Sequence, residues 1–339
     1  MKTKSRAVIA VLVLTSLAAV GYHSFRRLDR NLTHIGRRIT QINPRTSPDS
    51  PYLVGALSGD RLLACVLVDS QGYQGYYTID MRSGAKTMLP KIDAICKETQ
   101  EFVPGDLSPD GQWIMYSKPS GHTRNYFCAV KTNGSQCLHW NNPNSFSTPM
   151  VIWSADSLGG LAIDDGTGDV FRWTLSNAAL HRDKSDRKYM PQGGEYNALG
   201  AVKDGYLFYR QLTPFTIQLK QMSPDGTQHN AREVELPHNG FCSQQSLSPN
   251  GRRVLWLVSY DIAESQSAWR RKIDKWFHIQ SGSFDSLWIS DVNGNNLHEV
   301  GYAPSGNGDF AISYVGWTRD GTCLWFTYDS SLWTVPAGD

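Results

Sequence analysis

Residues 107–116, Leu-Ser-Pro-Asp-Gly-Gln-Trp-Ile-Met-Tyr, decide the fold of this chain. A short apolar run ends in Ser-Pro-Asp-Gly, and a run of alternating apolar and polar residues follows it. Proline suits the first central position of a turn, aspartate bonds the local backbone, and glycine takes the left-handed conformation. The stretch therefore predicts a β-hairpin with a tight turn.

Weaker copies of this turn recur along the chain at nearly constant spacing. The copies begin at residues 57, 153, 202, 247 and 317, so with 107 the successive spacings are 50, 46, 49, 45 and 70. A repeat of about 40 to 50 residues with β-strand signals is typical of a β-propeller. The copies are Leu57–Asp60, Trp153–Asp156, Val202–Gly205, Leu247–Gly251 and Trp317–Gly321.

A second turn follows the first in most units. Two hairpins in each unit predict an all-β fold, a six-bladed β-propeller of four-stranded antiparallel blades. An irregular two-sheet protein and a seven-bladed ring are the alternatives. In the degenerate third unit, residues 164–169 join the second and third strands. The second turns are Met81–Gly84, Lys131–Gly134, Met222–Gly226 and Asp291–Gly294, and the units are 52–95, 96–145, 146–195, 196–238, 239–304 and 305–339.

Residues 107–116 and 287–297 (Leu-Trp-Ile-Ser-Asp-Val-Asn-Gly-Asn-Asn-Leu) resemble the repeats of TolB-like propellers. The same repeat builds the propellers of prolyl-oligopeptidase-type peptidases. The resemblance covers roughly Pro51 to Val335 and implies the fold much more strongly than a function. We expect neither the α/β domain that precedes the propeller of TolB nor a hydrolase domain after it.

Residues 1–25 predict a membrane anchor. Ala7–Phe25 contains no Asp, Glu, Lys or Arg, and a helix of this length reaches roughly 28 Å, about the thickness of the hydrocarbon core. A cleaved signal peptide is the alternative, because a basic start precedes the apolar run and the small residues Ala18, Ala19 and Gly21 follow its centre. We expect the uncleaved anchor, because residues 26–50 continue it as a stalk.

Residues 26–50 predict a basic amphipathic stalk helix that ends in a turn-rich linker over 43–51. Apolar residues recur at spacings of three and four, with arginines on the other faces. The stripe would contact lipid headgroups, a partner helix or the propeller, and a solvated spacer helix is the alternative. Its members beyond Phe25 are Leu28, Leu32, Ile35, Ile39 and Ile42.

The fifth unit contains an insertion at about 261–284 that predicts a helix. Trp269, Ile273 and Trp276, with Phe277, share one face, and basic residues lie on the others. A basic amphipathic helix with tryptophans suits a membrane surface or a partner groove. Packing of this face on the propeller's own rim is the alternative.

The last unit has only three clear strands, ending at residues 332–335. We expect Tyr52–Leu57 to supply its fourth strand, because closing the ring removes exposed sheet edges.

Charge and motifs exclude several classes of function. Residues 1–50 carry nine Lys or Arg and two Asp, hence +7, so the remainder carries 2 − 7 = −5. A mildly acidic propeller argues against nucleic acid as a partner. We find no Gly-x-Ser-x-Gly elbow, Walker A loop, dinucleotide fingerprint or His-Glu-x-x-His pair, and no Cys-x-x-Cys spacing. The sequence therefore predicts no catalytic residue, no cofactor and no metal site.

Cys128 and Cys137 flank the Asn-Gly turn of the second unit. In a two-residue hairpin Cys137 faces Val130, so a disulfide between the two cysteines would require a shift of register.

These patterns together predict a non-catalytic, membrane-anchored propeller that binds protein partners as an accessory or scaffold subunit of a membrane complex. We expect the propeller to be extracytoplasmic, periplasmic or extracellular, partly because TolB-like propellers mostly work there. The arginines behind the apolar run nearly balance the basic start, so the positive-inside rule leaves the orientation open. The alternative is an extracytoplasmic enzyme or carbohydrate-binding propeller with a site at the channel mouth.

Overall fold

The chain forms a six-bladed β-propeller of four-stranded antiparallel sheets, as the repeated turns predict. The computed structural model describes residues 36–41, 51–68, 72–92, 103–120, 124–141, 150–163, 170–176, 179–185, 191, 196–237, 240–261, 283–305 and 311–338.

The strands of the six blades follow one another along the chain, except that the first strand belongs to the last blade. They are β1 (Arg37–Gln41), β2 (Pro51–Leu57), β3 (Arg61–Val68), β4 (Gly72–Asp80), β5 (Lys86–Met88), β6 (Val103–Leu107), β7 (Trp113–Ser120), β8 (Arg124–Lys131), β9 (Cys137–Asn141), β10 (Met150–Trp153), β11 (Gly159–Ile163), β12 (Val170–Ser176), β13 (Ala179–Ser185), β14 (Asn197–Val202), β15 (Gly205–Thr213), β16 (Thr216–Met222), β17 (Arg232–Glu235), β18 (Phe241–Leu247), β19 (Arg253–Asp261), β20 (Ser283–Asp291), β21 (His298–Ser305), β22 (Ser313–Trp317), β23 (Cys323–Tyr328) and β24 (Ser331–Pro336).

The Ser-Pro-Asp-Gly turn between β6 and β7 is held by its own side chains. Ser108 Oγ donates to Asp110 Oδ1 at 2.6 Å, and the Gly111 N–H donates to the Ser108 carbonyl at 2.7 Å. Gly111 has a φ of 69°, which favours glycine. The same side-chain bond joins Ser154 to Asp156, Ser248 to Asn250 and Thr318 to Asp320, at 2.5, 2.8 and 2.6 Å.

These turns define the two ends of the propeller. We call the end that carries the turns between first and second strands the turn end. Because neighbouring strands are antiparallel, the connections between second and third strands lie at the other end, which we call the far end.

The hydrophobic core lies between neighbouring blades. In one cluster Leu207 and Leu219 of blade four pack with Val254 and the fully buried Trp256 of blade five. A Cβ at Gly294, in the second turn of blade five, would lie 2.4 Å from Val234 Cγ2 of blade four. The glycine of this turn therefore allows the two blades to approach closely.

The strand that closes the ring differs from the prediction. The sheet of the last blade has the order β1-β24-β23-β22, and Arg37 and Gln41 lie opposite Thr334 and Ser331. The prediction that Tyr52–Leu57 completes this blade was wrong, because that segment lies within β2, which pairs with β3 in blade one. The closing strand covers the outer edge of β24, which would otherwise present unpaired backbone groups.

The stalk helix predicted over 26–50 was wrong for residues 37–41, which form β1. Ile39 is partly buried and packs against a core cluster that contains Leu53 of blade one and Leu332 of blade six, so this member of the stripe contacts the propeller. Pairing with β24 overrides the helical spacing here, because strand formation depends strongly on tertiary context.

The remaining predicted contact residues lie outside the described residues, as do the predicted anchor at 1–25 and most of the insertion. They are Leu28, Leu32, Ile35, Ile42, Trp269, Ile273, Trp276 and Phe277. Within the part of the chain that the structure describes, no helix has the length and apolar composition needed to cross a bilayer.

The hairpin of β8 and β9 has the register that the sequence predicts, although five residues connect its two strands. Val130 lies opposite Cys137, and Cys128 lies opposite His139. The register therefore lacks the shift that a bridge between Cys128 and Cys137 would require.

Candidate functional site

The connection between the third and fourth strands of blade four is longer than its counterparts. Nine residues, 223–231, join β16 to β17, whereas five residues join the corresponding strands in blades one and two and six join them in blade five. A local departure from a regular repeat is a frequent place for a binding site, because loops carry function on a rigid scaffold.

Hydrogen bonds fix this long connection to its own sheet. Ser223 Oγ lies 2.8 Å from His229 Nε2, and the His229 N–H donates to the Gln221 carbonyl at 2.9 Å. Met222 and Gln228 also form an isolated β-bridge. The imidazole is therefore held beside the end of β16.

The face of blade four that points towards blade five continues into this region. Val234 packs against Gly294 of blade five, and Arg232 lies two residues before Val234 on the same face of β17. Leu219, opposite Arg232 in the strand register, is buried in the core between the two blades. The Arg232 side chain therefore projects from the edge of a hydrophobic core.

A cleft of about 290 Å³ opens at this point, between blades four and five at the turn end. Its apolar part consists of Leu207, Leu219 and Val292, and the rest is polar. The polar lining residues are Gln221, His229, Asn230, Arg232 and Asn293.

The polar lining of the cleft consists of one guanidinium, one imidazole and three amides. The side chains of Arg232 and Asn230 make no hydrogen bond or ion pair with the groups that the structure describes. None of the described lining residues is Asp or Glu. Asp291 lies at the start of the neighbouring turn, but its Oδ1 accepts the N–H groups of Asn293 and Asn295. The cleft therefore offers donors to a ligand that carries acceptors.

The other buried polar groups of blade five have structural roles. Asp285 accepts a hydrogen bond from Ser259 Oγ at 2.6 Å and another from the Ile312 N–H at 2.9 Å, which connects blades five and six. Burial raises the pKa of the Cys242 thiol to about 12, so this thiol is not a reactive thiolate at neutral pH.

A cluster of carboxylates or imidazoles at one end of the channel would indicate an enzyme or a metal site. Among the residues that the structure describes, no three His, Cys, Asp or Glu side chains form a group that could hold a metal ion. The cleft residues were not identified from the sequence, although the long interval between Gly226 and the next strand was a signal that could have found them.

Comparisons with solved structures identify the same fold. A TolB structure from Agrobacterium tumefaciens matches with a TM-score of 0.51 and 13% identity, over 86% of this chain and 92% of that chain. TolB from Acinetobacter baumannii matches with 0.45 and 15%, over 84% and 66%. An oligogalacturonate lyase from Vibrio parahaemolyticus matches with 0.47 and 11%, over 90% and 99%.

No protein-family model and no curated protein sequence matches the chain. The TM-score of 0.51 to the Agrobacterium tumefaciens structure shows a likeness of fold, and an identity of 13% leaves function open. The chain is therefore a six-bladed β-propeller with the fold of the TolB propellers.

Proposed function

We propose that this protein is a non-catalytic, membrane-anchored propeller that binds a protein partner at its far end, as an accessory or scaffold subunit of a membrane-associated complex outside the cytoplasm. The observation that carries the proposal is that the N-terminal segment and the insertion of blade five attach to opposite ends of the propeller.

The N-terminal segment joins the propeller at the turn end. Arg37, the first residue of β1, lies opposite Thr334 of β24. Directly after β24, the Ala337 N–H donates to the carbonyl of Thr322, in the turn between β22 and β23. The described chain, which begins at residue 36, therefore enters the propeller beside the turns between first and second strands.

The insertion leaves from the far end. β19 begins at Arg253, directly after the turn at Ser248–Gly251, and ends at Asp261, opposite Ser283. A strand of nine residues spans roughly 30 Å. On this proposal residues 1–25 lie in a bilayer, and the ends of β19 and β20 that bracket the insertion lie about this distance from the end of the propeller at which β1 begins. Trp269 and Trp276 then meet a protein partner and not the same membrane.

Exposed apolar side chains at the far end of blades four and five support a partner surface there. Phe215 at the start of β16 is 40% exposed, and Phe241 at the start of β18 is 50% exposed. Leu212, near the end of β15, is also exposed. Apolar groups that gather at one end of a soluble domain commonly mark a site of association.

Purification from detergent-solubilised membranes tests the proposal. The wild-type chain should carry a stoichiometric companion, and Trp269→Ala combined with Trp276→Ala should lose the companion while staying in the membrane fraction. Leu158→Ala is the matched control, because Leu158 is 61% exposed at the turn end. The proposal is wrong if the double variant leaves the membrane or keeps its companion, and removal of residues 2–25 should release the chain from the membrane.

A second candidate function is hydrolysis, favoured by the Ser223–His229 pair beside the cleft. A serine hydroxyl within hydrogen-bond distance of an imidazole is the basic arrangement of a nucleophile and its base. A third group that orients the imidazole usually completes this arrangement, and none of the described residues bonds the other ring nitrogen. A fluorophosphonate probe should label the wild-type chain and not Ser223→Ala if this function is correct.

A further inference from the structure

We propose that the junction of blades four and five binds an extended segment of the partner, which places a carboxylate side chain in the cleft and an apolar side chain four residues away at the far end. This inference rests on the proposed function and adds the chemistry of the partner.

The charge of the cleft indicates that the partner side chain bound there is a carboxylate. The side chains of Arg232 and Asn230 have no hydrogen-bonding partner in the described part of the chain, and the cleft has no carboxylate among its described lining residues. A carboxylate carries a single negative charge and two acceptor oxygens, which one guanidinium and adjacent amide groups can satisfy.

The size of the cleft is compatible with one acidic side chain of a protein partner. Its volume of about 290 Å³ lies just below the range of roughly 300 to 1,000 Å³ that is usual for small-molecule sites. A small cleft with both apolar and polar lining residues is suited to one anchor side chain of a protein interface.

The strand β17 provides the line along which the segment would lie. It is the outer strand of its sheet, and among the described strands it pairs only with β16. An extended peptide can add to such an edge through backbone hydrogen bonds. Arg232 lies at the cleft, and Leu236, four residues later, donates its N–H to the Phe215 carbonyl at 2.7 Å.

The distance between the two bound side chains of the partner follows from the geometry of β16 and β17. Ile217 and Leu219 are buried in the core between blades four and five, and Leu236, whose N–H donates to the carbonyl of Phe215 directly before β16, is buried in the same cluster. Phe215 and the cleft are therefore separated by four residues along the sheet, or roughly 13 Å. In an added strand, residues four apart also project from one face, so an acidic residue and an apolar residue at this spacing would reach both positions.

Peptide binding to the full chain in detergent tests the inference. One fluorescent heptapeptide pool has Glu and Phe four positions apart, in both orders, with randomised residues elsewhere, and the second pool has Gln in place of Glu. The wild-type chain should bind the Glu pool about tenfold more tightly, because a charge-assisted hydrogen bond is stronger than a neutral one. Arg232→Gln should abolish this preference.

Arg252→Gln is the matched control, because Arg252 is an exposed arginine in a turn of blade five and does not line the cleft. Equal binding of the two pools to the wild-type chain, or an unchanged preference in Arg232→Gln, would overturn the inference. Displacement of the Glu pool by equimolar free glutarate would also overturn it, because the cleft would then be a site for a small acid.

Failure here is separable from failure of the proposed function. If a companion co-purifies with the wild-type chain and neither peptide pool binds, this inference is wrong and the proposed function stands. If the Glu pool binds with the expected preference and no companion is found, the cleft assignment stands and the proposed function fails.

Discussion

The sequence Ser-Pro-Asp-Gly occurs at residues 108–111 in blade two and at residues 223–226 in blade four, and its serine bonds differently in the two places. Ser108 is buried and donates to Asp110 of its own turn. Ser223 is only partly buried and bonds the His229 imidazole beside the cleft. Both glycines donate their N–H to the serine carbonyl, at 2.7 and 2.9 Å, so the backbone turn is the same.

The length of the following segment explains the difference. After Gly111 the next strand begins at Trp113, whose N–H donates to Ser108 Oγ at 2.9 Å. After Gly226 five residues, 227–231, precede β17, and His229 lies within them. Four residues thus specify a turn, whereas the chain around them decides whether the serine stabilises the turn or bonds a residue that lines the cleft.

The largest expected effect is that of Ser108→Ala. This change removes the donor to Asp110 and leaves the Trp113 N–H without its acceptor in a buried turn, which should lower the free energy of unfolding by about 1 to 3 kcal/mol. Urea unfolding followed by tryptophan fluorescence measures it. Ser248→Ala should cost a similar amount, because Ser248 makes the same bonds. If Ser108→Ala left the free energy of unfolding unchanged, backbone hydrogen bonds alone would hold the turn.

The next largest expected effect is a loss of stability at low pH. Hydrogen bonds from Ser154 and Thr318 lower the pKa of Asp156 and of Asp320, so these carboxylates favour the folded state when ionised. This stabilisation is complete above the unfolded pKa of about 3.9 and is lost as the pH falls through the lower pKa of the folded state. The urea midpoint should therefore fall steeply below about pH 4.

Asp320→Asn should make this acid dependence shallower and change stability little at neutral pH. Blade five already carries Asn250 at the corresponding position, where its side-chain oxygen accepts the same hydrogen bonds from Ser248 Oγ and the Arg252 N–H. An unchanged acid dependence of the urea midpoint in Asp320→Asn would contradict the assignment of this turn as an acid-sensitive element.

The smallest expected effect is that of Ser223→Ala. Water can replace the lost hydrogen bond at the partly exposed hydroxyl, so the free energy of unfolding should fall by less than about 1 kcal/mol. The same urea titration compares it with Ser108→Ala. If Ser108→Ala and Ser223→Ala lose equal stability, the different bonds of the two serines do not make different contributions to the free energy of unfolding.

The blades were predictable from the sequence because their turns are local. The bonds of Ser108 reach no further than Trp113, and those of Ser248 no further than Arg253. Information of this range is contained in a few consecutive residues. The facing pair of Val130 and Cys137 was predictable for the same reason, because a short turn fixes the register of its hairpin.

The closing strand and the cleft were not predictable in this way. Residues 37–41 contain one apolar residue, Ile39, and its spacing from Leu32 and Ile35 matches a helix. The partner of this segment is β24, far away in the sequence, and that pairing decides its conformation. The cleft likewise combines Arg232 of blade four with Asn293 of blade five, and no local sequence pattern predicts that these residues line the same cleft.

The pairing of β1 with β24 also bears on biosynthesis. From Gln41 to Ser331 the separation is 331 − 41 = 290 residues, so the ribosome must make nearly the whole polypeptide before the last sheet can form. At about 5 to 20 residues per second, this takes roughly 15 to 60 s. During that time the five residues of β1 cannot pair with β24. The nascent propeller has unpaired sheet edges, which can bind chaperones or aggregate.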